Sequence, residues 1–223
     1  MRLLVIGDIH GDVRKIPLLK EAINIHRPDT LVVCGDITHF GSLAMACKIL
    51  KSLQSLDLPI FFVPGNCDPK ELASKVTVEG SENLHGRCMM FAGRNIIGVG
   101  GCVSSPFEVP FELSEAEVKG ILAEAYRKCS SCCGLVVVSH CPPYGTKVDK
   151  TSFNQHVGSR ALKSFLLSTK PILLVCGHIH EARGIDFVNT THVVNPGPLN
   201  RGFYSIVDLE KVEIILGNLE KKS

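Results

Sequence analysis

The sequence lacks long apolar runs. Wholly apolar stretches such as Leu31–Cys34 fall far short of the ~20 residues that a membrane-spanning helix requires. Neither sign of charge dominates: 24 Lys+Arg stand against 22 Asp+Glu, a net +2. That leaves no basic footprint for nucleic acid, so neither a nucleic-acid coat nor a nuclease groove is expected. There is no internal repeat and no low-complexity tract, and 45% hydrophobic with 21% charged residues excludes a disordered chain. No secretory leader is expected either, because polar residues of catalytic type have begun by Asp8 and His10. The expected location is therefore cytoplasmic.

Cysteine is not scarce, with ten in the chain. Without a leader, reduced and buried thiols are the expectation. Cys129-Ser-Ser-Cys132-Cys133 has no second pair at the spacing of a structural zinc site. A folded chain of 223 residues should expose roughly 10,000 Å². This is ample for one domain over 1–223 and short for two; a homo-oligomer is compatible with these bounds.

Five runs read as strands buried on both faces: Arg2–Gly7, Thr30–Gly35, Pro59–Pro64, Gly134–Ser139 and Ile172–Gly177. Each is nearly continuous in apolar residues. Between them, Val13–His26, Gly41–Leu53, Ser114–Lys128 and Val157–Thr169 carry apolar residues at helical spacing. Ser114-Glu-Ala-Glu117 has the form of a capping box, and Asp68-Pro69-Lys70-Glu71 that of an N-cap, N1 proline and N3 glutamate. Arg87–Phe91 and Asn95–Val99 suggest a hairpin around Gly93. Four short strands without intervening helices, Gly184–Val188, Thr191–Asn195, Phe203–Val207 and Val212–Leu216, suggest a meander closing one edge of a second sheet. The predicted fold class is α/β: two mixed β-sheets packed as a sandwich and flanked by helices.

The polar residues just past the strand ends are the informative feature. The five strands lead into Gly7-Asp8-Ile9-His10-Gly11, Gly35-Asp36, Gly65-Asn66-Cys67-Asp68, Ser139-His140 and Gly177-His178-Ile179-His180. Ligands collect at the carboxyl ends of strands in open α/β sheets, so these residues should converge. Any one of these motifs alone would read as a turn or a satisfied core histidine; five in succession do not. Asp8, His10, Asp36, Asn66, His140, His178 and His180 offer carboxylate oxygens, an amide oxygen and imidazole nitrogens. That set suits Mn²⁺, Fe²⁺, Ni²⁺ or Zn²⁺, and seven ligands suit two ions sharing one carboxylate. Of the other histidines, His39 and His156 lie where they could touch substrate; Arg160 and Lys147 are candidate phosphate contacts.

The ordered set GDIHG, GD, GNCD, SH and GHIH, spanning residues 7 to 180, resembles the calcineurin-like metallophosphoesterase superfamily. The resemblance implies a helix-flanked β-sandwich with a di-metal centre, manganese being the first expectation. Asp8, His10, Asp36 and His180 would hold one ion; Asp36, Asn66, His140 and His178 the other, with Asp36 bridging. Asp36, Asn66, Cys67, Asp68 and His140 are the implied catalytic positions. The implied reaction is hydrolysis of a small phosphoester, in which a hydroxide bridging the ions attacks phosphorus in line.

Two departures narrow the branch. The arginine that protein Ser/Thr phosphatases carry in the second motif is absent from Asp36-Ile37-Thr38-His39-Phe40, which argues against a phosphoprotein substrate. Cys67 stands where many members have histidine, as in small bacterial and archaeal phosphodiesterases. The resemblance therefore favours diesters over alkyl monoesters. The alternative is a catalytically weak member of the fold serving as a protein-binding scaffold.

Overall fold

The continuous apolar strands acquire two separate tasks once their residues alternate across a sheet. In β1 (Arg2–Ile6), Leu3 and Val5 enter one buried cluster while Leu4 and Ile6 enter another. The computed structural model describes residues 1–75, 77–103, 108–130 and 134–220. β2 (Thr30–Val33), β3 (Ile60–Phe62), β4 (Thr77–Val78) and β5 (Ser81–Asn83) join β1 in the first sheet. The second sheet begins with the hairpin β6 (Cys88–Phe91) and β7 (Arg94–Val99). Among the described residues, β8 (Cys102–Val103) and β9 (Glu112–Leu113) pair only with each other. β10 (Leu135–Ser139), β11 (Leu173–Val175), β12 (Gly184–Val188) and β13 (Thr191–Asn195) complete the second sheet. β14 (Phe203–Asp208) and β15 (Glu213–Asn218) return to the first. The orders are β15-β14-β1-β2-β3-β5-β4 and β12-β13-β11-β10-β7-β6.

The inner layer between the sheets holds Leu3, Val5, Val32, Phe61, Ile96, Val136, Val138, Leu173 and Val175. α1 (Leu19–His26) and α2 (Leu43–Leu53) cover the outer face of the first sheet through Leu19, Ala46, Ile49, Leu50 and Leu53. α3 (Glu115–Arg127) and α4 (Arg160–Thr169) cover the second through Val118, Leu122, Leu162 and Leu166. The predicted α/β sandwich is thus observed, and its accessible surface is 10,024 Å². The capping box at Ser114 and Glu117 forms as predicted. β1, β2 and β3 run parallel side by side, as do β10 and β11. Their carboxyl ends therefore emerge together.

Four expectations need correction. The terminal strands do not form one meander: β12 and β13 extend the second sheet, whereas β14 pairs with β1. Pro196 and Pro198 cannot donate to a ladder. The segment between them crosses between the sheets, and Leu199 N donates to Gly7 O. Buried Ile206 and Val207 set the register of β14, since burying such side chains contributes about 1.5–3 kcal/mol each. The half-exposed Arg2–Asp208 pair, at 2.8 Å, adds at most about 1 kcal/mol.

The predicted helix from Val13 divides at Pro17 into a 3₁₀ stretch, Val13–Leu18, and α1. Asp68 caps no helix, because the short 3₁₀ turn Lys70–Ser74 starts without a side-chain cap and Asp68 is engaged elsewhere. Cys88 and Cys129 form a disulfide tying β6 to the end of α3, whereas Cys34, Cys47, Cys67, Cys102, Cys141 and Cys176 are free. Cys132 and Cys133 of the cysteine cluster lie outside the described residues.

His85 carries a pH dependence. Its Nδ1 accepts the Gly100 N–H at 2.9 Å, and burial pushes its pKa down to about 4. The unfolded value is near 6.5. The folded value being lower, the stabilisation is complete above pH ~6.5 and is lost as pH falls towards 4. Denaturant unfolding of metal-free protein at pH 7 and pH 4 should show a loss of about 2–3 kcal/mol from this residue. His85→Asn, whose Oδ1 can accept the same bond without titrating, should lose correspondingly less; equal losses would refute the assignment.

Candidate metal centre

Each candidate ligand sits just past a strand end, where the chain must turn sharply. Asp8, His10, Asp36 and His178 all adopt left-handed backbone, with φ of 53°, 48°, 48° and 72°. That conformation costs roughly 1–2 kcal/mol for an ordinary L residue, a strain tolerated where surrounding structure enforces it. The approach of the loops is close enough to require glycine. A Cβ on Gly35 would lie 2.6 Å from His140 Nδ1, and one on Gly65 would lie 2.1 Å from Asp36 Oδ1.

All seven predicted ligands come together. His10 Nε2 lies 3.2 Å from His180 Nε2 and 3.5 Å from Asp36 Oδ2. His180 Nε2 is 3.5 Å from Asp8 Oδ1, which also accepts the His178 N–H at 3.2 Å. On the other side, His140 Nε2 is 3.5 Å from Asp36 Oδ1 and 2.8 Å from Asn66 Oδ1. The rings of His140 and His178 lie 5.1 Å apart, edge to face. Asp36 thus turns one oxygen to each imidazole group. Ligand atoms of Asp8, His10 and His180, and of Asp8, Asp36 and His140, each fall within 4.8 Å of one another.

The polar groups themselves decide whether a cation fits. Among the described residues, Asp8 Oδ2 is buried without a hydrogen-bond partner, a costly condition for a carboxylate oxygen. His140 lies between two acceptors, the Cys34 carbonyl at 2.7 Å from Nδ1 and Asn66 Oδ1 at 2.8 Å from Nε2. A neutral imidazole has one N–H and can satisfy only one of them. With that proton on Nδ1, a cation on the Nε2 side reconciles the other contact. His10 and His180 likewise turn ring nitrogens towards each other. The donor set therefore fits a divalent ion in each half.

Burial pushes the His10 pKa down, and that of His178 to about 4; neutral rings keep the lone pairs that metals take. Burial would raise the Asp8 carboxyl, yet the hydrogen bond from His180 and the neighbouring imidazoles hold it below its ordinary value. His180 is raised by that bond. Without metal, burial and the Asp36 carboxylate push the Cys67 thiol well up. Its Sγ is 3.4 Å from Asn66 Nδ2.

Asp68 is fully buried. Its carboxylate accepts from Gly65 N at 2.8 Å, Ile37 N at 3.1 Å, Thr38 N at 2.7 Å and Thr38 Oγ1 at 2.9 Å. Asp68 thereby staples the loop after β2 to the loop after β3. Burial and Asp36 push its pKa up to about 6. Of the other candidates, His156 Nδ1 pairs with Asp149 Oδ1 at 2.6 Å, and Arg160 lies over the Tyr144 ring at 3.6 Å. Neither joins the ligand cluster. The Cys34 carbonyl that orients His140 has no sequence signal, since any residue could supply it.

The model of one family, calcineurin-like phosphoesterase, matches residues 1–182. The chain belongs to that family. Its members depend on two metal ions, which places the residue groups above in their chemical context. The chain is 32% identical over 222 residues to an uncharacterised protein of Methanocaldococcus jannaschii, covering 97% of this chain and 95% of that one. One crystal structure, 25% identical, superposes with a TM-score of 0.84 over 98% of this chain and 99% of the other. An archaeal phosphodiesterase shares the fold at 18% identity and a TM-score of 0.56, covering 98% and 99% of the two chains. The family is one of hydrolases; among the described residues no helix is long and apolar enough to cross a membrane.

The staple predicts a stability effect. Asp68→Asn turns an amide NH₂ towards backbone donors, which should destabilise the protein by about 2–4 kcal/mol in denaturant unfolding. A change below about 0.5 kcal/mol would contradict the role, being the size expected of an ordinary surface site.

Proposed function

We propose that this protein hydrolyses small phosphodiesters at two divalent ions, manganese first among the candidates. Asp8, His10, Asp36 and His180 would hold one ion; Asp36, Asn66, His140 and His178 the other. The observation that carries this reading is the placement of the Asp36 carboxylate, 3.5 Å from His10 Nε2 through one oxygen and 3.5 Å from His140 Nε2 through the other. When bound, such ions supply Lewis-acid polarisation of phosphoryl oxygens and a more acidic water. The protein's part is positional. The Cys34 carbonyl accepts the His140 Nδ1–H and leaves Nε2 facing the site. Asp68 and the Cys67 N–H, which donates to Asp36 Oδ1 at 2.8 Å, hold Asp36 in place.

The preference for diesters rests on Cys67. A thiol whose pKa is raised is a poor proton donor to an alkoxide, so esters with poorer leaving groups lack an acid at that position. The archaeal phosphodiesterase sharing the fold supports the same ester class. The polar groups that a cation would satisfy, Asp8 Oδ2 among them, favour an enzyme over a scaffold that has shed its chemistry. The whole chain, as a single domain, would serve this one site.

Turnover of bis(p-nitrophenyl) phosphate should require added metal and rise with Mn²⁺. Asp36→Asn should lower it by at least about 10³-fold, the scale of removing a group that organises transition-state charge, and should also lower the bound metal. Full turnover by that variant, or a wild type with neither bound metal nor turnover, would refute the proposal. Cys67→His should raise monoester hydrolysis relative to diester hydrolysis by about 10-fold or more; an unchanged ratio would refute the role given to the thiol.

A further inference from the structure

His39 is exposed at the mouth of the site, and its place is not accidental. The loop that carries it is pinned on both sides: Thr38 N and Oγ1 bind Asp68, and Phe40 N donates to the Cys67 carbonyl at 3.1 Å. Phe40 is held at φ 56°, which is a genuine outlier for so bulky a residue, and such strain clusters at functional sites. The Phe40 ring stands edge-on to the imidazole of His39, with centroids 4.9 Å apart. The neighbouring residues thus fix His39 in one orientation, with its Nδ1 3.3 Å from Nδ1 of His10.

Among the described residues, His39 is the hydrogen-bond partner of His10 Nδ1. The opposite nitrogen of His10, Nε2, is the one that faces His180 and Asp36. The same arrangement occurs across the site, where His140 donates its Nδ1–H to the Cys34 carbonyl and turns Nε2 inward. A histidine that ligates a metal through one nitrogen needs its other N–H taken up, because this fixes both tautomer and ring orientation. Among the described residues no backbone carbonyl does this for His10.

We infer that His39 is a positioning residue of the first metal site, accepting the Nδ1–H of His10 and so keeping the His10 Nε2 lone pair aimed at the cation. The inference deepens the di-metal reading and rests on it. It also gives the second motif, which lacks a phosphate-binding arginine, a part in metal retention beyond that of Asp36. His39 does not itself touch the reacting atoms.

Calorimetric titration of chelator-treated protein with Mn²⁺ tests it, comparing wild type with His39→Ala, His39→Asn and His10→Ala. Asn can place Oδ1 where the acceptor Nδ1 was. Wild type should bind two ions, and His10→Ala should lose one of them. His39→Ala should weaken that same ion by about 10–100-fold, the usual scale for outer partners of metal-bound histidines, while His39→Asn stays within about 3-fold of wild type. Unchanged affinity in His39→Ala would overturn the inference. So would equal losses in both His39 variants, which would mark His39 as a ligand in its own right. Fewer than two ions in wild type would refute the di-metal reading instead. Long-range ¹H–¹⁵N spectra of the metal-free protein provide a separate test. His10 should carry its proton on Nδ1 in wild type and His39→Asn, and become a tautomer mixture in His39→Ala; an unaltered tautomer there would overturn the inference even if every variant bound metal.

Discussion

Carboxylates and lone-pair nitrogens gathered out of water repel one another unless positive charge lies among them. This constraint governs the carboxyl ends of the strands. Among the described residues, Asp8 Oδ2 has no partner, His140 stands between two acceptors, and His10 and His180 meet nitrogen to nitrogen. The first two are unfavourable alone and the third ties up ring nitrogens that a cation would take; the same ions would engage all of them. Bound ions would therefore add to stability by mass action as well as supply chemistry.

The fold supplies the force that holds such groups together. Three apolar layers, two outside the sheets and one between them, lock β1–β3 against β10 and β11. Loops at their ends can then carry left-handed aspartates and histidines at a cost the core easily offsets. Gly35 removes the side chain that would hold the loop after β2 away from His140 of the second sheet, and Gly65 the one that would hold the loop after β3 away from Asp36. Asp68 joins two of those loops through four donors, so that Asp36, Cys67 and His39 all depend on a carboxylate that is not itself a candidate ligand.

The sandwich and the ligand cluster were legible from the residues because both depend on strong local signals. A strand buried on both faces must be apolar throughout, and five such strands in succession leading into Asp, Asn or His are not explained as turns. Pairings set by distant partners were not legible. The destination of β14 depends on a proline-bounded crossing and on Ile206 and Val207 meeting β1. The Cys88–Cys129 bridge depends on the end of α3 coming to rest beside β6. Asp68 had a plausible local role as a helix cap, and tertiary donors won because four hydrogen bonds outweigh one. The contact of His39 with His10 spans 29 residues and is set only by how the loops are stapled.

Anomalous scattering from crystals soaked in Mn²⁺ tests the paired-ion centre most directly. Two peaks are predicted, one on each side of the Asp36 carboxylate, the first against His10 and His180 and the second against Asn66 and His140. A single peak, or none with the same side chains bonded to one another and to water, would contradict it.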